Sequence, residues 1–245
     1  MIGLVAPEGP DADDTDAAPT LFIGDGLLDD AQASAISDAL VAVGAAGTHG
    51  DVSSIPAPES LGVDVVVAVG LGSADDVENP EKLRQAAGIA ARALAGRRQV
   101  TTTLAAGGIE PVAEGFFLGA YRFDEFRSAK TLPTKTPPTT VRLLVENTGK
   151  SATAQLDHAV AIADATAIAR DFVNTPPSHL YPEEFAERAR LLGSKAGLKV
   201  EILDHTQLEK DGYGGIVGVG KGRSLPPRLV RLTPACLLYT SDAAD

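Results

Sequence analysis

The stretch that decides the fold is DVVVAVGLG, residues 64–72. It is an almost unbroken apolar run, rich in β-branched valine, and it ends in two glycines. Such a run is typical of a strand that is covered on both faces of a parallel sheet, because neither face then needs polar side chains. We therefore predict a central strand over 64–72, with the glycines at the turn that follows it.

The segments on both sides of this run alternate between strand-like and helix-like patterns. Pro80 fits the first turn of a helix over 80–94, and Gly96 followed by two arginines marks its end. The other predicted strands are 2–6, 21–23, 101–105 and 141–145, and the other predicted helices are 29–43 and 111–120. This alternation predicts an α/β domain with a largely parallel sheet over residues 1–148.

The second half of the chain opens with a long helix. Residues 152–173 are alanine-rich and free of glycine and proline, and Asn-Thr-Pro-Pro at 174–177 ends the helix, because proline disfavours helix in the residue before it. The predicted elements that follow are helices at 182–196 and 206–210 and strands at 199–203, 215–219 and 228–232. We predict a linker helix over 149–173 and an incomplete second α/β domain over 174–235, since these elements are too few to close a core.

Composition and charge argue against several classes of partner. The chain is 44% hydrophobic and has a net charge of −12, and its nearest approach to a basic run, residues 96–98, is typical of the cationic end of a helix. We therefore expect no nucleic-acid partner. No stretch approaches the ~18 consecutive apolar residues of a spanning helix, so we expect no membrane partner. The one cysteine, Cys236, cannot form an internal disulfide, which fits the cytoplasm.

Two glycine clusters imitate nucleotide-binding loops. Residues 70–75 follow a strand as the dinucleotide fingerprint does, but Asp75 stands at the third glycine position, where a carboxylate would repel pyrophosphate. Residues 215–222 nearly spell a P-loop, but Gly222 replaces the hydroxyl residue that would bind magnesium. The first cluster is better interpreted as a turn, and the second has no phosphate-transfer role.

Side chains that carry chemistry are scattered. The acidic cluster at 11–16 suggests calcium, but the glycine and glutamate that an EF-hand loop requires are replaced by Asp16 and Phe22, so we predict a solvated loop. The histidines are His49, His158, His179 and His205. They are far apart and outside any HExxH pattern, and no pair of carboxylates or nucleophilic elbow stands out. The residues alone indicate no catalytic, cofactor-binding or metal site.

Five motifs nevertheless occur in the order of a known family. RDFVNTPPSHL at 170–180 and KDGYGGIVGVGKGRSLPPRLVR at 210–231 resemble the leucyl aminopeptidase (cytosol aminopeptidase) family, most of all its actinobacterial-type members. VAVGLG at 67–72, LRQAAGIAARAL at 83–94 and EGFFLGAYRFDEFRSAK at 114–130 resemble the N-terminal domain of that family. The resemblance implies a macro-domain-like N-terminal α/β domain, a linker helix and the beginning of a zinc-peptidase-like catalytic domain.

The resemblance also implies a chemistry. Family members remove N-terminal residues from peptides with two divalent metals, manganese or zinc, and are usually cytoplasmic hexamers. Their metal ligands, a lysine, several aspartates and a glutamate, follow the PPRLV segment, here residues 226–230. We therefore expect a C-terminally truncated fragment that carries none of the family's catalytic or metal residues and is inactive by itself. Two departures, Tyr181 for a usual Thr or Ser and Lys221 for a common Gln, do not touch that chemistry.

The last ten residues, CLLYTSDAAD at 236–245, resemble the translation of a sequencing adapter, and we interpret them as a library artefact. A rival interpretation of the whole chain is a non-catalytic macro-like module for ligand binding or interaction. Such a module would bind a nucleotide-type ligand at the carboxyl ends of its strands, near Gly70 and Gly72. The incomplete glycine fingerprint speaks against it.

Overall fold

The computed structural model describes residues 1–7, 18–24, 26–222 and 224–234. The strands are β1 Ile2–Val5, β2 Thr20–Phe22, β3 Val52–Pro56, β4 Val65–Gly72, β5 Gln99–Thr102, β6 Thr140–Leu143, β7 Lys199–Leu203 and β8 Leu229–Thr233. The helices are α1 Asp30–Ala42, α2 Ala74–Val77, α3 Pro80–Ala93, α4 Ile109–Ala120, α5 Lys150–Asn174, α6 Pro182–Lys195, α7 His205–Lys210 and α8 Gly214–Gly220. The chain divides into two compact units, Met1–Ile168 and the part from Ala169 onward.

The first unit is built on a four-stranded sheet in the order β2-β1-β4-β3. Only β1 and β4 are parallel in it, while β2 and β3 pair antiparallel at the two edges. The prediction of a largely parallel sheet is therefore wrong for this sheet. Both edge strands contribute to this. Strand β2 runs antiparallel to β1, and β3 was missed by the sequence analysis: residues 57–64 join β3 to β4 through one short 3₁₀ turn, which is too short for a parallel crossover. A second, parallel pair, β5 and β6, adjoins the sheet where the Thr103 N–H donates to the Met1 carbonyl, 3.1 Å.

The central strand β4 is buried on both faces, as its composition predicts. Val67, Val69 and Leu71 belong to a core cluster that includes side chains of α3 and α4, and Val66 and Ala68 belong to a second cluster that includes side chains of α1. Successive residues of a strand point to opposite faces, so alternate residues enter the two clusters. The first unit is thus a three-layer α/β/α arrangement.

Helices α3 and α4 approach each other closely because small residues line their contact. A Cβ atom on Gly119 would lie 2.3 Å from the Gly88 carbonyl oxygen, and one on Gly115 would lie 2.3 Å from the Arg84 oxygen. The side chain of Arg84 spans the same contact and donates to the buried Glu114 carboxylate at 2.6 Å. Hydrogen bonds to Glu114 and Glu81 raise the pKa of the Arg84 guanidinium.

Most element predictions in the first unit are confirmed within two residues. Helix α1 begins at a capping box in which Asp29 accepts from the Gln32 N–H, and α3 begins with Pro80 behind the cap Asn79. The predicted strand at 101–105 is only partly right. Thr102 ends β5, because its hydroxyl accepts from the Leu104 N–H at 3.2 Å and starts a 3₁₀ turn in place of further strand.

The second unit contains the antiparallel pair β7 and β8 with helices α6, α7 and α8. The predicted strand at 215–219 is wrong, since Gly214–Gly220 is helical. Glycine has no side chain to pack against a neighbouring strand. The helix instead places Val217 in a small cluster with Leu203 and Leu208.

Candidate functional site

The carboxyl end of β4, where the rival interpretation places a ligand, is filled by the protein itself. The Gly70 N–H donates to the Asp51 carbonyl at 2.8 Å, and the Gly72 N–H donates to the Gly47 carbonyl at 3.0 Å. A Cβ atom on Gly70 would lie 1.9 Å from the Thr48 oxygen. These glycines therefore allow close packing of the loop over 47–51, and their amides are not available to a phosphate.

The same loop carries His49, whose ring is held on both sides. Its Nδ1 lies 3.1 Å from the Leu71 carbonyl oxygen, and its Nε2 lies 3.2 Å from the Gln85 side-chain oxygen. These contacts join the loop to β4 and α3. His49 is therefore a packing histidine, with both ring nitrogens occupied by these contacts.

The other three histidines lie outside the loop over 47–51. Each has a polar neighbour close by in its own unit, namely Glu110 for His158, Ser178 for His179 and Glu209 for His205. Within residues 1–7, 18–24, 26–222 and 224–234, no three His, Cys, Asp or Glu side chains come together as a metal site would require. The acidic cluster at 11–16 and Cys236 lie outside the described residues.

The motif at 170–180 forms the end of α5 and a tight turn in the second unit. Thr175 is buried, and both its N–H and its hydroxyl donate to the Asp171 carbonyl, at 2.9 and 2.6 Å. Pro176 begins the turn that ends the helix, and its carbonyl accepts from the N–H groups of His179 and Leu180. The motif therefore sets the direction of the chain where α5 ends.

The second motif, over 210–231, holds helix α8 and strand β8. Its near-P-loop sequence cannot cradle phosphates, because residues 214–220 are helical and the Lys221 N–H is used by the Val217 carbonyl. A Cβ atom on Gly220 would lie 2.6 Å from the Pro227 ring, so this glycine permits the close turn into β8. Both family motifs act here as structural elements of the second unit.

One feature escaped the sequence analysis, which interpreted residues 96–98 only as the end of a helix. These residues line a cleft of about 650 Å³ together with Arg142 and several apolar side chains. A signal was present in the charge pattern: residues 126–145 contain four Arg or Lys and no Asp or Glu, in a chain whose net charge is −12.

The fold therefore defines a class of two-unit α/β proteins. The N-terminal unit has three layers, and a long helix that ends before a proline turn leads into a second unit with a pair of strands. The family model described as the N-terminal domain of the cytosol aminopeptidase family matches residues 11–130, and the one described as its catalytic domain matches residues 167–235. The chain belongs to the cytosol aminopeptidase family.

Curated relatives agree with this assignment. A probable cytosol aminopeptidase of Rhodococcus jostii is 53% identical over 218 residues, which are 88% of this chain and 43% of the relative. One of Nocardia farcinica is 50% identical over 239 residues, 96% of this chain and 46% of the relative. The chain thus spans less than half the length of the curated relatives it matches.

Solved structures show the same fold. The bottromycin maturation enzyme BotP, in complex with Mn, has a TM-score of 0.65 at 32% identity and covers 76% of this chain and 40% of its own. The cytosol aminopeptidase of Coxiella burnetii has a TM-score of 0.61 at 22% identity, with 95% of this chain and 44% of that one covered, and shows the fold alone. Among the described residues, no helix is long and apolar enough to cross a membrane.

Proposed function

We propose that the protein to which this chain belongs is a metal-dependent aminopeptidase that removes N-terminal residues, leucine among them, from peptides. The observation that carries the proposal is the succession of the two family models, N-terminal domain then catalytic domain, on one chain and in that order. The 53% identity to a probable cytosol aminopeptidase over 218 residues supports it. The names of these relatives also support a cytoplasmic location.

The described residues of this chain do not form a site for the metals that such an enzyme uses. The described residues contain no group of three His, Cys, Asp or Glu side chains that could hold a cation. No catalytic step is therefore assigned to the described residues. Their contribution is the N-terminal unit, the helix α5 and the opening elements of the catalytic domain. The segment 236–245 lies outside the described residues and beyond the family match, and we retain the adapter interpretation for it.

The metals proposed for the whole enzyme are two divalent cations, manganese or zinc. A relative of known structure, BotP, is recorded in complex with Mn. Two metals bound side by side stabilise both the attacking and the leaving group in a hydrolytic displacement. We further propose that the whole enzyme assembles as a homo-oligomer, a hexamer as the family resemblance implies.

The first test is to sequence the source DNA across codon 235 with adapter-free long reads. We expect the reading frame to continue into a further strand and into lysine, aspartate and glutamate motifs. The protein encoded by that longer frame should hydrolyse leucine p-nitroanilide with added Mn²⁺ or Zn²⁺, while the 245-residue chain should not. Metal-dependent hydrolysis by the 245-residue chain would contradict the assignment of its residues, and an inactive longer protein would contradict the enzyme assignment.

The ligand-binding module is separated from this proposal by calorimetry with ADP-ribose. Because the amides of Gly70 and Gly72 are occupied by the loop over 47–51, we expect no saturable heat. Saturable binding that a Gly70→Ala variant abolishes would favour the module. A folding control for that variant is needed, since a Cβ atom at this position meets the Thr48 backbone.

A further inference from the structure

The first unit carries a basic surface on an otherwise acidic chain. Its centre is the connection from α3 to β5, where Arg97 and Arg98 are exposed, and Arg142 on the neighbouring strand β6 extends it. The backbone joins these segments, because the Thr139 N–H donates to the Arg98 carbonyl at 3.0 Å and the Gly96 N–H to the Thr136 carbonyl at 2.7 Å. The positive charge is therefore fixed on one face by the fold.

These three arginines differ from most others in the structure. The arginines with a carboxylate within 4 Å are Arg84, Arg122, Arg127, Arg188, Arg190, Arg228 and Arg231. Among the described residues Arg97, Arg98 and Arg142 have no such ion pair, and Arg142 donates to the Gln99 side-chain oxygen at 3.1 Å. No described carboxylate lies within 4 Å to neutralise these charges, so an anion would gain attraction here.

The three arginines border a cleft with an apolar wall. The cleft, of about 650 Å³, lies at the amino-terminal ends of β1, β4 and β5 and beside Arg142 of β6, and Asp64 is the one acidic residue among its described lining residues. Its wall includes Leu27, 42% exposed, and Val63, 53% exposed. A site of this kind suits a ligand that joins carboxylates to an apolar side chain.

We propose that this cleft binds an acidic peptide segment, with an apolar side chain against Leu27 and Val63 and carboxylates at Arg97, Arg98 and Arg142. Arginine forms paired hydrogen bonds with carboxylates. Nucleic acid fits the cleft less well, because its described lining residues include no aromatic side chain for base stacking and the net charge of −12 repels a long polyanion. The proposal is independent of the aminopeptidase assignment.

The test is fluorescence anisotropy of a labelled peptide, acetyl-Asp-Leu-Glu-Leu-Asp-amide, titrated with the 245-residue chain. The blocked amino terminus makes it a poor aminopeptidase substrate, so failure of one proposal leaves the other standing. The control peptide, acetyl-Asn-Leu-Gln-Leu-Asn-amide, keeps the apolar side chains without the charge. We expect saturable binding of the acidic peptide, at least roughly ten-fold tighter than the control and weaker as NaCl is raised. Absence of saturable binding overturns the proposal.

Two double variants locate the site. Arg97→Glu with Arg98→Glu should weaken peptide binding by about ten-fold or more, while Lys130→Glu with Lys150→Glu should leave it within about two-fold. Both pairs reverse exposed cations of the first unit and change the net charge equally, but only the first pair lines the cleft. Arg97→Gln with Arg98→Gln is a milder variant for the case in which charge reversal perturbs folding, and thermal melting checks each protein. Equal losses in both double variants overturn the proposal.

Two further outcomes would assign the cleft to another occupant and so overturn the proposal. One is tighter binding of a short duplex DNA that the Arg97 and Arg98 variants abolish while the lysine variants do not. The other is concentration-dependent self-association, measured by analytical ultracentrifugation, that the arginine variants remove. That result would identify a second copy of this chain as the occupant.

Discussion

The two units of this protein differ in how many large side chains they bury completely. The large side chains that are less than 2% exposed are Ile36, Leu40, Val69, Leu71, Leu83, Thr102, Leu104 and Val112 in the first unit, and Leu208 in the second. Among the described residues, the buried cluster around Leu208 contains only Leu203 and Val217 besides Leu208 itself. The second unit also exposes Val219 at 88% and Leu191 at 56%.

This difference indicates which of the two units is more stable against unfolding. Burial of apolar area contributes about 25 cal/mol per Å², and it must offset the conformational entropy of every ordered residue. The first unit has two apolar clusters on opposite faces of one sheet to do so, whereas the second has one small cluster for several helices and a strand pair. We therefore expect the first unit to unfold at a higher denaturant concentration than the second.

The largest expected effect is at the contact of α3 and α4. Gly119→Val would place a Cβ atom 2.3 Å from the Gly88 oxygen and 2.7 Å from its Cα, so the two helices must separate. We expect the free energy of unfolding of the first unit to fall by about 3 kcal/mol or more. Urea unfolding, followed by hydrogen exchange of peptides from each unit, measures it.

The matched control for this change is Gly149→Ala, whose added Cβ atom meets nothing within 4 Å. It should leave the free energy of unfolding within about 0.5 kcal/mol of the parent. A Gly119→Val protein that is as stable as the control would show that the close helix contact is not required by the first unit.

A pair of cavity-forming changes compares the cores directly. Leu83→Ala removes a side chain that is 1% exposed in the large cluster of the first unit, and we expect a loss of about 2–5 kcal/mol. Leu208→Ala, with fewer buried neighbours to retain the cavity, should cost about 2 kcal/mol, and it should change exchange only in the second unit. If Leu208→Ala lowers protection in the first unit equally, the two units share one cooperative transition and the comparison fails.

The same contrast explains which features the sequence predicted. The run predicted at 64–72 and the helix starts predicted at Asp29 and Pro80 are local signals whose physical causes act within a few residues, and the structure has each of them within one residue. Strand β3 was missed because its five residues, VSSIP, contain two serines and a proline and so lack a strong strand pattern. The strand is held by its backbone pairing with β4. Such pairing is a long-range property of the fold.

The candidate sites also divide into those with a local sequence signal and those that depend on long-range pairing. The lack of a phosphate role for residues 215–222 follows from one missing hydroxyl, which the sequence shows directly. The cleft bordered by Arg97 and Arg142 could not be predicted, because it joins residues more than forty positions apart that only the parallel pairing of β5 with β6 brings together. Charge asymmetry along the chain was its one sequence signal.

Two capping boxes formed by the same residue types, one in each unit, allow a closely matched comparison with a smaller expected effect. Asp29 caps α1 with Gln32 in the first unit, and Asp204 caps α7 with Gln207 in the second. Replacing either aspartate with alanine removes an acceptor of helix N–H groups, and each change should cost about 1 kcal/mol. Asp29→Ala should affect exchange in α1, and Asp204→Ala should affect exchange in α7.

Asp38→Ala is the control for the capping pair, since it removes the same charge from the exposed surface of α1 without touching a cap. It should leave exchange near the start of α1 unchanged. A loss at Asp38 as large as that at Asp29 would show that net charge, and not capping, stabilises the helix.

The smallest expected effect concerns the start of α6, where the second unit lacks a cap that the first unit has at α1. Tyr181 stands at the N-cap position with φ −91° and ψ 170°, and its side chain makes no capping hydrogen bond. Serine in that backbone conformation accepts from the N–H two or three residues further on, so Tyr181→Ser should stabilise α6 by about 0.5 kcal/mol relative to Tyr181→Ala. The alanine variant removes the same ring and adds no acceptor, so the difference between the two variants isolates the cap. Hydrogen exchange of the amides of Glu183 and Glu184 measures that difference.

Equal exchange in the serine and alanine variants would mean that the first turn of α6 is held by other contacts, such as the ion pair of Arg188 with Glu184 at 2.7 Å. In that case the missing cap would not account for any of the difference in stability between the units.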